Sequence, residues 1–110
     1  MSYRFGHLND LAYKAFKNSK DHGFWDEYYA LESTHPVPVI LSKLALITSE
    51  VGEAIEAVRK DDRNNLAEEL ADICIRVFDL AEALNINLEQ SIVNKMQKNE
   101  ARPYMHGKLA

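Results

Sequence analysis

The stretch Leu66-Ala67-Glu68-Glu69-Leu70-Ala71-Asp72-Ile73-Cys74-Ile75-Arg76-Val77-Phe78-Asp79-Leu80-Ala81-Glu82-Ala83-Leu84 decides the fold. Leu66, Leu70, Ile73, Val77, Leu80 and Leu84 follow one another at alternating steps of four and three. That spacing gathers apolar side chains on one stripe of an α-helix. Asn85-Ile86-Asn87 ends this helix. Asn87 then reads as the N-cap of a further helix over about 88–101, with Gln90 at its N3 position and Pro103 as its stop. On the other side, Ile40, Leu44, Ile47, Val51, Ile55 and Val58 step in the same way and predict a helix over about 39–60 with one continuous core ridge. Asp61-Asp62-Arg63-Asn64-Asn65 is the turn between these two helices. Asn65 with Glu68 reads as a capping box, Asp62 being the other candidate cap.

Residues 5–21 carry an amphipathic pattern through Leu8, Leu11, Ala12, Ala15 and Phe16, with Gly23 as the residue that ends the helix. Phe24-Trp25-Asp26-Glu27-Tyr28-Tyr29 is aromatic without a clean period. Thr34-His35-Pro36-Val37-Pro38 interrupts regular structure, with Pro38 near the first turn of the next helix. Only four Gly and three Pro punctuate the 110 residues, which favours long helices over many short strands. The pattern therefore predicts an all-α, four-helix bundle in one domain, residues 1–110, with a tail from about 103. Cys74, Ile75 and Phe78 on the third helix, and Val39, Leu46 and Ala57 on the second, lie off the main ridges. They are surplus apolar surface that association buries most simply about a two-fold.

Composition limits the function. Hydrophobic residues at 46% and charged residues at 27% describe a soluble globular chain. No apolar run approaches the roughly 18 residues of a membrane span. Met1-Ser2-Tyr3-Arg4 begins no signal peptide, and the lone Cys74 suits a reducing, cytoplasmic setting. Thirteen basic against seventeen acidic residues leave a net charge of −4, so a nucleic-acid partner is disfavoured. A small anionic substrate remains open where carboxylates hold divalent cations.

Such carboxylates are present. With the apolar ridge of each helix at zero on a helical wheel, Glu50 and Glu53 lie at about −80° and about −140°, and Glu69 and Asp72 at about −60° and about −120°. Each of the two central helices thus carries an acidic pair at i, i+3 on the same flank of its stripe. Antiparallel packing through the ridges sends these flanks to opposite sides of the seam. The four acids meet only if packing rotates each helix toward its acidic flank, or if another helix or subunit closes the site. Clustered carboxylates repel, and the natural compensation is a hard divalent cation, Mg²⁺ above all. A solvated acidic face is the competing reading.

Glu50-Val51-Gly52-Glu53 followed by Glu69-Leu70-Ala71-Asp72 resembles the E-x-x-E…E-x-x-D signature of the all-α NTP pyrophosphatases, the MazG-like superfamily. His22-Gly23-Phe24-Trp25-Asp26 upstream and the run from Lys95 to Lys108 downstream extend the resemblance over roughly residues 5–108. It implies hydrolysis of a nucleoside triphosphate to the monophosphate and pyrophosphate, dependent on Mg²⁺ with Mn²⁺ as its substitute. Glu50, Glu53, Glu69 and Asp72 would hold the metal. Lys95, Asn99 and Arg102 would reach phosphate and sugar or base. Many members carry a further Glu where this chain has Ser49, so the resemblance leaves the general base to Glu50 or Glu53. It also implies dimers or tetramers with sites near subunit interfaces.

The remaining candidates weigh less. Arg76 falls between Asp72 and Asp79, and pairing with those acids is favoured over phosphate contact. Trp25 and Phe24 offer a face to a nucleobase or pack into the core. Tyr104 and His106 sit in a tail that folds over substrate or hangs free. Glu32-Ser33-Thr34-His35 spells a single E-x-x-H running into proline and is rejected as a di-iron motif. His7, His22 and His106 show no ligand spacing, and Cys74 beside Phe78 is expected to pack rather than react. Two other functions stay in view: a phosphoribosyl-ATP pyrophosphohydrolase, against which the long segment 24–38 argues, and a non-catalytic helical dimerisation module.

Overall fold

The computed structural model describes residues 6–31 and 36–103, which form five helices: α1 (His7–Asp21), α2 (Asp26–Leu31), α3 (Pro36–Arg59), α4 (Arg63–Ala83) and α5 (Leu88–Glu100). The four long helices are those expected, with ends moved by local chemistry. Both prolines of the interrupting segment lie inside the first turn of α3, where their missing N–H groups would have had no helical partner. The cap of α4 is Asp62, whose carboxylate accepts the Asn65 N–H at 3.0 Å; the Asn65–Glu68 box does not form. Asn87 caps α5 as expected, accepting from the Gln90 N–H at 3.1 Å.

Three helices end alike. After α1, α3 and α4 the chain turns through a left-handed residue: Gly23 at φ +86°, Asp61 at +52° and Asn85 at +59°. In each case the next amide bonds back across the last turn: Phe24 to Ser19 at 3.1 Å, Asp62 to Ala57 at 2.9 Å and Ile86 to Ala81 at 2.8 Å. These tight reversals fold α3 and α4 into an antiparallel hairpin.

The unperiodic aromatic run forms α2 and fills the core. Trp25 is wholly buried, with Tyr28 edge-on at 5.3 Å and Phe16 tilted at 6.2 Å between ring centres; Val39, Ile40, Leu80 and Leu84 close around them.

The four long helices do not close on one another within a single chain. α1 and α3 each pack mainly along α4, and the main neighbours of α5 are α1 and α4. The face that α3 turns inward is also not the expected one. Val39, Glu50, Ala54 and Ala57 are buried, whereas Leu44, Val51, Ile55 and Val58 of the expected ridge are exposed, Val58 by 61%. Two heptad stripes lie one residue apart on α3. The stripe through Ala54 and Ala57, whose small side chains let two helices approach closely, meets α4. The bulkier ridge faces out, and Leu70 of α4 joins it at 52% exposure. Val39 and Ala57, expected as surplus surface, are therefore core, while Leu46, Cys74 and Ile75 remain exposed. No helix among the described residues is long and apolar enough to cross a membrane.

Candidate functional site

Turning α3 toward its Glu50–Ala54–Ala57 stripe rotates the acidic flank into the α3–α4 seam. That is the first of the two ways in which the sequence allows the acids to meet. Glu50, Glu69 and Asp72 each place a carboxylate oxygen within 4.8 Å of the others. Glu50 is nine-tenths buried, Glu69 is half-buried, and Asp72 and Glu53 are exposed. Glu53 sits at the rim, outside that trio, and its carboxyl acts electrostatically on Glu50 and Glu69.

The cluster is electrostatically uneven. Arg76 donates from Nε to Glu50 Oε1 at 2.9 Å and holds Glu50 below the usual carboxylate range. Among the described residues Glu69 has no such cationic partner. Desolvation, then the carboxyls of Glu53 and Glu50, push it up to about 7. Glu50 Oε2 and Glu69 Oε2 are both shielded from water without a hydrogen bond. Buried acceptors rarely stay unpartnered, and two aimed into one carboxylate cluster fit a hard cation with oxygen ligands.

Arg76 was expected to pair with Asp72 and Asp79; its partner is Glu50 instead. It also borders a cleft of mixed polarity between α1 and α4, beside Asn18, Ser19, Phe24, Asp72, Ile75 and Asp79. Asp79 accepts the Trp25 Nε1–H at 2.7 Å, and burial raises its pKa. Lys43 lies over the Trp25 ring at 4.6 Å, donates to the Phe24 carbonyl, and is pushed down by burial. These contacts correct the stacking role of Trp25: its indole is enclosed by Phe16, Tyr28 and Lys43, and no face is open to a base. Phe24, at 61% exposure, keeps a free face.

The expected substrate residues of α5 make no direct bond to the acids among the described residues. Lys95 is exposed, Asn99 is half-buried with a shielded, unpartnered Oδ1, and Arg102 is exposed just past the helix. No hydrogen bond or ion pair among the described residues joins these three to the cluster. Tyr104, His106 and the Glu32–His35 motif lie outside the described residues.

Sequence reasoning passed over Glu89, which is 4% exposed. Its carboxylate reaches from the first turn of α5 to the start of α1, accepting the N–H groups of Gly6 at 2.6 Å, Leu8 at 3.0 Å and Asn9 at 3.4 Å. Asn9 returns the bond by accepting the Glu89 N–H at 3.2 Å. The pair caps two helices reciprocally and sets where α5 begins.

The sequence profile described as the MazG nucleotide pyrophosphohydrolase domain matches residues 40–106, which take in most of α3 and all of α4 and α5. The chain belongs to the MazG family. The matched part holds both acidic pairs and the Lys95–Asn99–Arg102 set, and leaves α1 and α2 outside it. No curated protein and no solved structure matches the chain. As a MazG domain, the protein falls among nucleotide pyrophosphohydrolases, enzymes that hydrolyse a phosphoric anhydride.

Proposed function

We propose that this MazG protein hydrolyses ribo- or deoxyribonucleoside triphosphates to the monophosphate and pyrophosphate in a Mg²⁺-dependent reaction, with Mn²⁺ as a substitute, as part of cytoplasmic nucleotide-pool housekeeping. The observation that carries this reading is the convergence of Glu50, Glu69 and Asp72, two of them with shielded and unpartnered oxygens. A bound divalent cation there supplies charge neutralisation for the triphosphate and lowers the pKa of an attacking water. Glu50, Glu69 and Asp72 hold it, and Glu53 at the rim completes the ligand set. Ser49 offers no carboxylate, so the proton of the attacking water passes to Glu53 or Glu50. Glu53 is the better placed, because it is exposed at the rim whereas Glu50 is nine-tenths buried in the seam.

Lys95, Asn99 and Arg102 bind the phosphates and the nucleoside. Arg supplies bidentate donors and Lys a point charge. Because no hydrogen bond or ion pair among the described residues ties Lys95, Asn99 or Arg102 to the acids, a site completed by a second copy suits them. The uncovered ridge of Leu44, Val51, Ile55 and Val58 supports a homodimer or homotetramer. The net charge of −4 favours a small nucleotide over nucleic acid.

The test is pyrophosphate release across a panel of canonical and damaged nucleoside triphosphates, for the wild type and for Glu53→Gln and Asp72→Asn. Both variants should lose Mg²⁺-dependent turnover and keep the wild-type circular dichroism spectrum. Wild-type release from either variant would remove that residue from the site. A wild type with neither turnover nor a Mg²⁺-induced thermal shift would leave only a helical association module.

A further inference from the structure

Three carboxylates, those of Glu50, Glu69 and Asp72, converge at the α3–α4 seam, and among the described residues Arg76 is the cation paired with the cluster, through Glu50. The pair is lopsided. The side chain of Glu50 is 12% exposed and fixed in the seam, whereas that of Arg76 is 38% exposed and opens onto the cleft beside Asp72, Asp79 and Phe24. Contact runs through Nε to one oxygen, Oε1, while Oε2 of the same carboxylate stays shielded and without a donor. A divalent cation needs that carboxylate and brings two positive charges next to a guanidinium already in place. Like charges at such distances oppose one another strongly in a partly desolvated site. The conflict ends if the guanidinium leaves Glu50. Its half-exposed side chain can turn within the cleft, and a polyphosphate is the anion that would receive it there.

We propose that Arg76 is the counter-ion of the cation-free cluster and that its guanidinium passes from Glu50 to the substrate phosphates when a divalent cation takes the Glu50 carboxylate. Arg76 thus competes with the metal in the resting protein and cooperates with it once substrate is bound. The exchange makes metal and nucleotide binding mutually reinforcing, because each removes a partner that the other must otherwise displace. This inference rests on the metal site proposed above and adds a role to a residue outside the acidic signature.

Two neutral variants, Arg76→Met and the more polar Arg76→Gln, test it. Mn²⁺ binding to the nucleotide-free protein is followed by the electron paramagnetic resonance signal of free Mn²⁺. KM is measured at saturating Mg²⁺ for the triphosphate that the wild type hydrolyses best. Removing a competitor should tighten Mn²⁺ binding at least threefold while KM rises at least tenfold, in whichever variant folds as judged by circular dichroism. A purely structural ion pair gives a different result, because losing it disorders Glu50 and weakens Mn²⁺ binding. Unchanged or weaker Mn²⁺ binding in a folded variant, or KM within twofold of wild type, overturns the exchange while leaving the metal site standing. Absence of Mn²⁺ binding by the wild type itself overturns both.

Discussion

Truncating Glu89 probes the joint on which the placement of α5 depends. In Glu89→Ala the first turn of α1 loses its acceptor for three N–H groups, two at good distance (2.6 and 3.0 Å) and one long (3.4 Å). A hydrogen bond to a charged acceptor contributes about 1.5–3 kcal/mol. The two short bonds alone give roughly 3–6 kcal/mol before any recovery. Recovery is substantial, since Gly6 is exposed and Leu8 half-exposed, so water can reach the amides once the carboxylate is gone. A net loss of about 2–4 kcal/mol follows, above the range for an ordinary N-cap deletion because the acceptor comes from another helix and fastens it. For a chain of 110 residues this lowers Tm by roughly 8–16 °C. Urea denaturation at fixed protomer concentration measures the free energy, and hydrogen exchange at the Leu8 and Asn9 amides locates it. Glu89→Gln keeps one acceptor oxygen but loses the charge that favours a helix N-terminus, and should lose about half as much. A Glu89→Ala variant within about 0.5 kcal/mol of wild type, with exchange at those amides unaltered, would refute the reciprocal cap.

Further outcomes follow from the same geometry. Lys95→Ala and Arg102→Ala should each lower kcat/KM at least tenfold, about 1.4 kcal/mol of transition-state stabilisation, with Mg²⁺ affinity of the free protein unchanged by calorimetry. Glu69, raised from 4.5 to about 7, holds a proton in the folded chain that the unfolded chain has lost. Its contribution to metal-free stability is therefore full below about 4.5 and lost as pH rises through about 7. Glu50, held low by Arg76, acts in the opposite sense, losing its contribution as pH falls below the usual carboxylate range. Because Mg²⁺ must expel the Glu69 proton, the Mg²⁺-induced rise in Tm should grow between about pH 6 and about pH 8 by thermal-shift assay, and Glu69→Gln should flatten it. Asp61→Gly should raise stability by roughly 0.5 kcal/mol in urea titrations, since relief of the left-handed φ of +52° outweighs the extra chain entropy of glycine.

Helix positions were legible because the signals are local. The step pattern Leu66 to Leu84, the Asn87 cap and the Gly23 stop each act within a turn or two of themselves, and the structure keeps all three. Where two local signals competed, as at Asp62 and Asn65, geometry chose the one whose side chain precedes the first free N–H. The aromatic run showed no period because α2 is a six-residue helix that plugs the gap between α1, α3 and α4, so tertiary packing orders it more than its own repeat. Glu89 gave no sign because its partners are backbone amides more than 80 positions away, and an isolated glutamate in the first turn of a helix looks like a favourable charge at the dipole and nothing more.

Which face of α3 turns inward was the question on which the site depended, and apolar periodicity answers it wrongly. The ridge Ile40–Leu44–Ile47–Val51–Ile55–Val58 and the stripe Val39–Lys43–Leu46–Glu50–Ala54–Ala57 have the same spacing, displaced by one residue. Hydrophobicity alone selects the first, which would leave Glu50 on the flank of the seam and separate it from Glu69 and Asp72. Steric fit selects the second. Ala54 and Ala57 let α4 come close, and the close approach drives Glu50 against Arg76 and Glu69. Bulky side chains left outside then have a use that one chain does not supply, and they lie on the same helix as Glu50 and Glu53. The acidic site and the uncovered ridge are thus two consequences of one rotation. A single substitution can probe both: Ala57→Leu should push α3 off α4, disperse the Glu50–Glu69–Asp72 cluster and reduce both Mg²⁺ binding and association. Titration calorimetry together with sedimentation measures the two effects. Loss of association with Mg²⁺ binding intact would show that the two faces are set independently.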